Sequence, residues 1–198
     1  MKLTIEHWIR LTNYGAWIDG QILTQDITSA EALFRSQAFN YAKFFKMDQL
    51  CKWAWLGTEL LLHQNDQSYN KNQISVVFAT AEGCIEVDKR YRQSMTTIPS
   101  PALFVYTLNN IMLGEVCIRH GFKGEQACLS SKEFDADELF FWASDLLTHR
   151  GMDACLLGWI NITENNPDLC LFWVTHSGKG HPFSKQSLQQ LYSTNGFI

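Results

Sequence analysis

Thiols and imidazoles are the side chains of this chain with the greatest capacity for covalent and acid–base chemistry. Its six cysteines stand singly at positions 51, 84, 117, 128, 155 and 170. A thiolate accepts an acyl group when a helix N-terminus or a nearby cation lowers its pKa. Several of these cysteines lie in apolar runs such as ACLL and LCLFWV, where cysteine packs as a small hydrophobic residue. Since no Cys-x-x-Cys pair occurs, the pattern favours reduced thiols in a cytoplasmic protein.

Four histidines are candidate acid–base residues: His120, His149, His176 and His181. The last two bracket the short sequence SGKG, which is typical of a flexible loop. Sequence spacing does not bring any of them to a nucleophile, so we interpret them as loop or surface histidines. Cys117 and His120 form a Cys-x-x-His pair, but a structural zinc site needs about four ligands and no second pair is suitably spaced. We therefore expect no metal and no cofactor.

The elements that must position these side chains alternate between strand and helix. Hydrophobic patterning predicts strands at residues 3–9, 73–80, 126–131, 154–162 and 169–176. Helices are predicted at 28–45, 47–63, 85–95, 109–120, 134–149 and 184–192. The turn sequence NNPD separates the last two strands and favours antiparallel pairing. This order predicts an α/β fold with a mixed sheet.

Length and composition limit the number of domains and the classes of partner. A chain of 198 residues suits one domain, which we assign to residues 1–198. The net charge of −4 disfavours nucleic acid, which requires concentrated basic residues. The sequence contains no run of eighteen apolar residues, so we expect no membrane span. Thirteen Phe and seven Trp suggest surplus apolar surface for a partner to cover.

Four ordered blocks carry a family resemblance. They read KMDQL from Lys46, VVFATAEGCIEVDKRYRQ from Val76, SPALFVYTLNNIMLGEVCIRHGFKGE from Ser100 and DACLLGWINI from Asp153. Together they resemble the N-terminal half of β-ketoacyl-acyl-carrier-protein synthases over about residues 46–162. The resemblance implies a thiolase-like fold, reduced to its N-terminal half, with a mixed sheet and helices on both faces.

The resemblance also points to a missing nucleophile. In the family a cysteine ends a strand and opens a helix, where the helix N-terminus lowers its pKa. Counted from Lys123 and Gly124, that position falls at or within a residue of Glu133. Cys128 comes about five positions early. The helix after Glu133 carries Glu138, Asp145 and His149 near one stripe, so one side of it should meet water or a polar partner.

The function implied is that of a non-catalytic ketosynthase-like subunit of the chain-length-factor type. It would pair with a full-length β-ketoacyl synthase as a heterodimer, or with its own copy, and meet the acyl carrier protein only indirectly. The pathway implied is fatty acid, polyketide or aryl-polyene-type pigment synthesis.

Two stretches are implied to lie at the dimer interface. In family dimers the strand before the nucleophile pairs with its counterpart across a two-fold axis, which assigns Gln126, Cys128 and Ser130. The residues expected to shape the partner's acyl channel are Phe104, Thr107, Leu108 and Met112.

Two other functions remain open. The first is an active acyltransferase or 3-oxoacyl-carrier-protein synthase that uses Cys128 with His176 or His181. The second is a partner-free module with a closed apolar pocket for an acyl chain or another small ligand.

Overall fold

The structure, a computed structural model, describes residues 2–63, 69–96, 98–164 and 166–194. These residues contain eight strands: β1 Thr4–Thr12, β2 Gly15–Ile18, β3 Gln21–Gln25, β4 Ile74–Thr80, β5 Gln126–Ser130, β6 Ala154–Thr163, β7 Asn166–Thr175 and β8 His181–Pro182. They contain seven α-helices: α1 Ala30–Ser36, α2 Gln49–Leu62, α3 Ile85–Ser94, α4 Pro101–Val105, α5 Ile111–His120, α6 Ala136–His149 and α7 Lys185–Ser193. Short 3₁₀ helices span Ala42–Lys46 and Lys71–Gln73.

The strands form one mixed sheet in the order β3-β2-β1-β7-β6-β4-β5, with β8 added to β1. Strand β4 is parallel to both β5 and β6. The predicted antiparallel pairing of the last two long strands is confirmed, with Ala154 opposite Thr175 and Thr163 opposite Asn166. The mixed sheet predicted from the sequence is therefore correct, and β5 forms one of its two edges.

Helices cover both faces of the sheet, as predicted. Helices α1, α2 and α5 share one apolar core with the sheet, and α6 and α7 share the other. All seven residues of β4 are buried because both of its faces are covered. No helix in the described part of the chain is long and apolar enough to cross a membrane.

Helix α2 is enclosed more completely than its sequence pattern predicts. A helix at a protein surface has one apolar face, whereas every residue of α2 from Leu50 to Leu62 is buried. One side meets the sheet so closely that a Cβ atom on Gly57 would lie 2.9 Å from a methyl group of Leu169. The other side is covered by α1, by α5 and by the chain that joins α1 to α2.

The helix predicted over 28–45 is wrong in its extent. It breaks after Ser36 because Ala38 adopts a left-handed conformation with φ of 53°. The chain then returns through a 3₁₀ helix, which stacks Phe44 on Phe34 at 4.3 Å between ring centroids. Tertiary packing of aromatic rings overrides the helical pattern here. The helix starts later than predicted, with Ser29 as its N-cap, whose side chain accepts a hydrogen bond from Ala32 N.

Three short strands and one short helix were not predicted. The hairpin of β2 and β3 turns at Asp19 and Gly20, with φ of 51° and 80°, and an Asp-Gly pair is a recognised hairpin signal. The other unpredicted elements are β8 and α4. Helix α4 begins at Pro101 behind the N-cap Ser100, in a stretch that we read as a loop.

A matched pair of glycine substitutions tests the packing of the sheet. A Cβ atom at Gly158 in β6 would lie 2.3 Å from the carbonyl oxygen of Cys170 in the neighbouring strand, whereas one at Gly114 in α5 would meet nothing within 4 Å. We expect Gly158→Ala to lower the free energy of unfolding by roughly 3 kcal/mol or more. Gly114→Ala should leave it unchanged or raise it by up to about 1 kcal/mol. Urea unfolding followed by circular dichroism measures both, and equal stability of the two variants would contradict the predicted packing.

Candidate functional site at the open edge of the sheet

Strand β5 leaves alternate backbone groups unpaired. Val76 N donates to Glu125 O at 3.0 Å, and Ser131 N donates to Thr80 O at 3.1 Å. In a parallel ladder, bonding to one neighbour uses every second residue, so 125, 127, 129 and 131 face β4. The N–H and C=O groups of Gln126, Cys128 and Ser130 consequently point away from β4, where no strand of the described chain lies. These are the three strand residues assigned to the interface from the sequence.

Helix α6 runs beside this strand on one face of the sheet. At one end Ser131 Oγ donates to Glu138 Oε2 at 2.5 Å. At the other end Arg150 bridges Asp145 and Glu125, at 2.7 Å to each carboxylate. Of the predicted polar stripe, Glu138 and Asp145 are half-buried and bonded at the two ends of β5, whereas His149 is exposed.

Exposed apolar side chains lie on both faces of the sheet. Ile118 on α5 is 68% exposed, and Phe141 on α6 is 63% exposed. Helices α5 and α6 pack on opposite faces. The half-buried side chains of β5 divide in the same way, with Cys128 packed towards one core and Ala127 and Leu129 towards the other. A partner that extends the sheet from β5 would meet the half-buried side chains of Cys128 on one face and of Ala127 and Leu129 on the other.

The segment 104–112 adds a further apolar surface. Phe104 is 52% exposed and Leu108 is 49% exposed, whereas Thr107 is half-buried. Met112 is fully buried in the core, so the structure places it beneath the segment rather than on its surface. The other exposed apolar residues of this region are Met95, Ile98 and Val105.

Two asparagines that the sequence analysis did not assign to the site shape the turns beside it. Asn109 Oδ1 accepts a hydrogen bond from Cys84 N at 2.9 Å and lies so close to Gly83 that a Cβ atom there would be 2.4 Å from it. Asn161 Oδ1 accepts from Ala81 N at 3.2 Å and from Glu82 N at 2.8 Å. The signal in the sequence was weak, because asparagine is common in loops.

The junction between β5 and α6, residues 131–135, carries no thiol. Glu133 is exposed and lies ahead of the helix, whose N-cap is Asp135. We expected α6 to start at 134, and the two-residue difference arises because Phe134 is buried in the core, where it stacks on Tyr192 at 4.0 Å. The helix dipole therefore favours the carboxylate of Asp135, which accepts from two backbone N–H groups. Residues 131–138 and Gln189 line an open cleft of about 720 Å³.

The structure does not bring Cys128 together with either candidate histidine. Cys128 lies opposite Phe78 of β4, which lies opposite Gly158 of β6. Gly158 in turn lies opposite Leu171 of β7. Strand β7 is the third strand from β5, so it lies about 14 Å away laterally. His176 follows the last residue of β7, and its Nε2 contacts Leu147 O at 3.2 Å. His181 lies in β8, beyond β1, and is more distant still.

The electrostatics of the remaining candidates do not suggest acid–base catalysis. Burial raises the pKa of the Cys128 thiol above its ordinary value, so the thiolate is disfavoured. Burial also lowers the pKa of His120 to about 4, which leaves this ring neutral near pH 7 although Glu59 is nearby. His149 is exposed at the end of α6 beside Asp145. Within the described residues, no three His, Cys, Asp or Glu side chains are grouped as metal ligands.

Among known proteins, this chain is similar in fold to several solved structures. No family model and no curated protein matches this chain. Among solved structures it is similar to the ishigamide ketosynthase/chain length factor, with a TM-score of 0.66 and 16% identity over 92% of this chain and 64% of that chain. It is also similar to a chain of the ketosynthase ApeO in complex with its chain length factor ApeC from Xenorhabdus doucetiae, with a TM-score of 0.60 and 15% identity over 97% of this chain and 90% of that chain.

A third similar structure is a type II polyketide ketosynthase complex, AntDE with its acyl carrier protein AntF. The TM-score is 0.64 and the identity 10%, over 89% of this chain and 62% of that chain. The chain therefore has the thiolase-like fold that was predicted. It spans less than two thirds of the matched chain in the first and third structures.

Alkylation tests the state of Cys128. It is the one half-buried thiol of the six, the others being buried, so it should react first with iodoacetamide. Because its pKa is raised, the rate should be slow at pH 7 and should still be rising above pH 9. Mass spectrometry of tryptic peptides over a pH series measures this, with Cys128→Ser as the control. A plateau in rate below pH 8 would indicate an activated thiolate and would contradict the prediction.

Proposed function

We propose that this chain is a non-catalytic subunit of the chain-length-factor type. It pairs in the cytoplasm with a full-length β-ketoacyl-acyl-carrier-protein synthase in fatty acid, polyketide or aryl-polyene-type synthesis. The observation that carries the proposal is the open edge of β5 beside exposed apolar surface, next to a strand–helix junction without a thiol. The similar structures that contain ketosynthases with chain length factors support it.

The edge strand is built for two-fold pairing. If a partner strand lies antiparallel to β5 with Cys128 at the centre, Gln126 would face the partner's counterpart of Ser130, and Ser130 the counterpart of Gln126. All three residues would then form closely spaced hydrogen-bonded pairs, since their N–H and C=O groups point outward together. An unpaired edge of this kind is a template for strand addition. The pairing would extend the sheet across the interface.

Burial of the apolar surface would drive association with the synthase, and part of the same surface would line the acyl channel. Removing apolar area from water contributes about 25 cal/mol per Å², and the segment 104–112 offers several half-exposed apolar residues. In the proposed complex Phe104, Thr107 and Leu108 shape the acyl channel of the partner. Met112 supports them from within the core.

In this proposal the partner synthase carries out the condensation reaction. The 131–135 junction offers carboxylates and a hydroxyl group, and a carboxylate such as Glu133 is a poor acyl acceptor for a condensing cycle. The carrier protein would dock on the synthase, because the net charge of −4 on this chain disfavours an acidic carrier.

Substitutions at Cys128 test the pairing of the edge. Proline there removes an outward-facing N–H group without touching the ladder to β4, so we expect Cys128→Pro to weaken binding to the synthase by tenfold or more. Cys128→Ser keeps the backbone donor and should bind like the wild type. Mixing each chain with its candidate synthase and measuring mass by light scattering at micromolar concentration gives the result. No complex with the wild-type chain would contradict the proposed function.

The serine variant also separates this function from the enzymatic alternative. Product synthesis by the complex should persist with Cys128→Ser, since the thiol has no chemical role. Loss of acyl transfer in this variant, with the complex intact, would favour an active acyltransferase instead.

A cysteine cross-link distinguishes the heterodimer from a homodimer. In a two-fold homodimer centred on β5, the two Cys128 Cα atoms would lie about 5.5 Å apart, within the range that a disulfide can bridge. We expect that adding the synthase before mild oxidation prevents any disulfide-linked dimer of this chain. Non-reducing electrophoresis shows the outcome, with Cys128→Ser as the control. A cross-link that an excess of synthase does not suppress would favour the homodimer.

A further inference from the structure

A buried carboxylate lies directly behind the segment 104–112. Glu115 on α5 is 5% exposed, and a carboxylate in the interior needs compensating partners. Tyr106 OH donates to Glu115 Oε1 at 3.2 Å. Lys43 Nζ lies 2.6 Å from Glu115 Oε2, as an ion pair whose angle is poor for a hydrogen bond. Three separate stretches of chain thus meet at one carboxylate: a 3₁₀ helix, the turn before α5, and α5 itself.

The backbone of the segment is held mainly by itself. Its hydrogen bonds are short-range, from Tyr106 N to Leu103 O, from Thr107 N to Phe104 O and from Ile111 N to Leu108 O. Such bonds set the local shape but do not fix the segment relative to the sheet. Side chains must therefore provide the attachment. Its apolar attachments are Met112 in the core, the packing of Tyr106 and Ile111 against the core, and the contact of the Phe104 ring with Tyr91 at 5.5 Å between centroids.

Two polar attachments are directional. The first is the hydrogen bond from Cys84 N to Asn109 Oδ1 at 2.9 Å, near the end of the segment. The second is the hydrogen bond from Tyr106 to Glu115. Tyr106 lies two residues after Phe104 and two before Leu108, so its hydroxyl group fixes the part of the chain that carries both exposed apolar side chains.

We propose that Tyr106 is a positioning residue, which the Glu115–Lys43 ion pair locks in place so that Phe104 and Leu108 present a fixed surface to the acyl channel of the partner. The inference rests on the proposed function and deepens it. It assigns chain-length control to the rigidity of the segment as well as to the size of its side chains.

The protonation states of Tyr106 and Lys43 favour their contacts with Glu115, and we call this set of three side chains the clamp. Burial, reinforced by Glu115, raises the pKa of the Tyr106 phenol, so the hydroxyl group keeps the proton that it donates. The nearby carboxylate of Glu115 raises the pKa of Lys43, so its amine stays charged. Both shifts favour the clamped arrangement at neutral and mildly alkaline pH.

Hydrogen exchange on the free chain tests the clamp without any partner. Tyr106→Phe removes one oxygen atom and keeps the packed ring. The amides of 104–112 should exchange about tenfold faster in this variant, because a hydrogen bond to a charged group is lost. Tyr69→Phe is the matched control, since Tyr69 OH donates to the carboxylate of Glu6 at 3.0 Å and neither residue belongs to the segment. Unchanged exchange in Tyr106→Phe would overturn the inference.

Product analysis on the reconstituted complex tests the consequence. Tyr106→Phe should bind the synthase as the wild type does, yet broaden the distribution of product chain lengths, while Tyr69→Phe leaves the distribution unchanged. A wild-type distribution with Tyr106→Phe would overturn the inference. If the wild-type chain forms no complex, the proposed function fails, and the exchange result alone decides whether Tyr106 clamps the segment.

Discussion

The N–H and C=O groups of every second residue of β5 point away from β4, and within the described residues no strand lies on that side to accept or donate their hydrogen bonds. The parallel ladder to β4 uses the groups of residues 125, 127, 129 and 131. It turns those of Gln126, Cys128 and Ser130 outward. The proposed assembly depends on this division, since a two-fold partner strand satisfies all three outward residues at once. The apolar side chains above and below the edge then decide whether pairing is stable enough to persist.

Ion pairs with one buried member join the elements that pack on one face of the sheet. Lys52 of α2 pairs with Glu31 of α1 at 2.5 Å. Glu115 of α5 pairs with Lys43, and Glu59 of α2 pairs with Arg119 of α5. Each pair joins two elements that pack on the same face of the sheet. Lys52, Glu59 and Glu115 are the buried members of these pairs. Removing the partner of a buried charge leaves it uncompensated, which is destabilising, so these contacts favour the observed packing of the helices.

The sequence predicted the parts of the fold whose signals are local. Apolar runs and the NNPD turn were enough for β4 and for the β6–β7 pair. The helix expected over 28–45 failed because the ring of Phe44 returns to stack on Phe34, a contact that no local pattern encodes. The β2–β3 hairpin was missed despite a local signal, the Asp19-Gly20 pair. The outward residues of β5 were assigned through a family resemblance, and the ladder geometry now gives them a physical basis.

The buried carboxylate behind the segment 104–112 was not predictable from the sequence. Glu115 looks like an ordinary polar residue of an amphipathic helix, and Lys43 lies far away along the chain. Only the packing of α5 against α2 reveals that this carboxylate is enclosed and that Tyr106 reaches it. Polar residues buried by tertiary contacts are the part of a site that periodicity describes least well.

A subunit without a nucleophile can still determine a product if it fixes the shape of a channel. Rigid placement is then the property that matters, because a channel wall that moves accommodates several chain lengths. The segment 104–112 has the required construction, since its backbone bonds are local and its orientation is set by Asn109 and Tyr106. The size of the residues at 104 and 108 would set the depth of the channel, and the buried anchors would set how sharply that depth is defined.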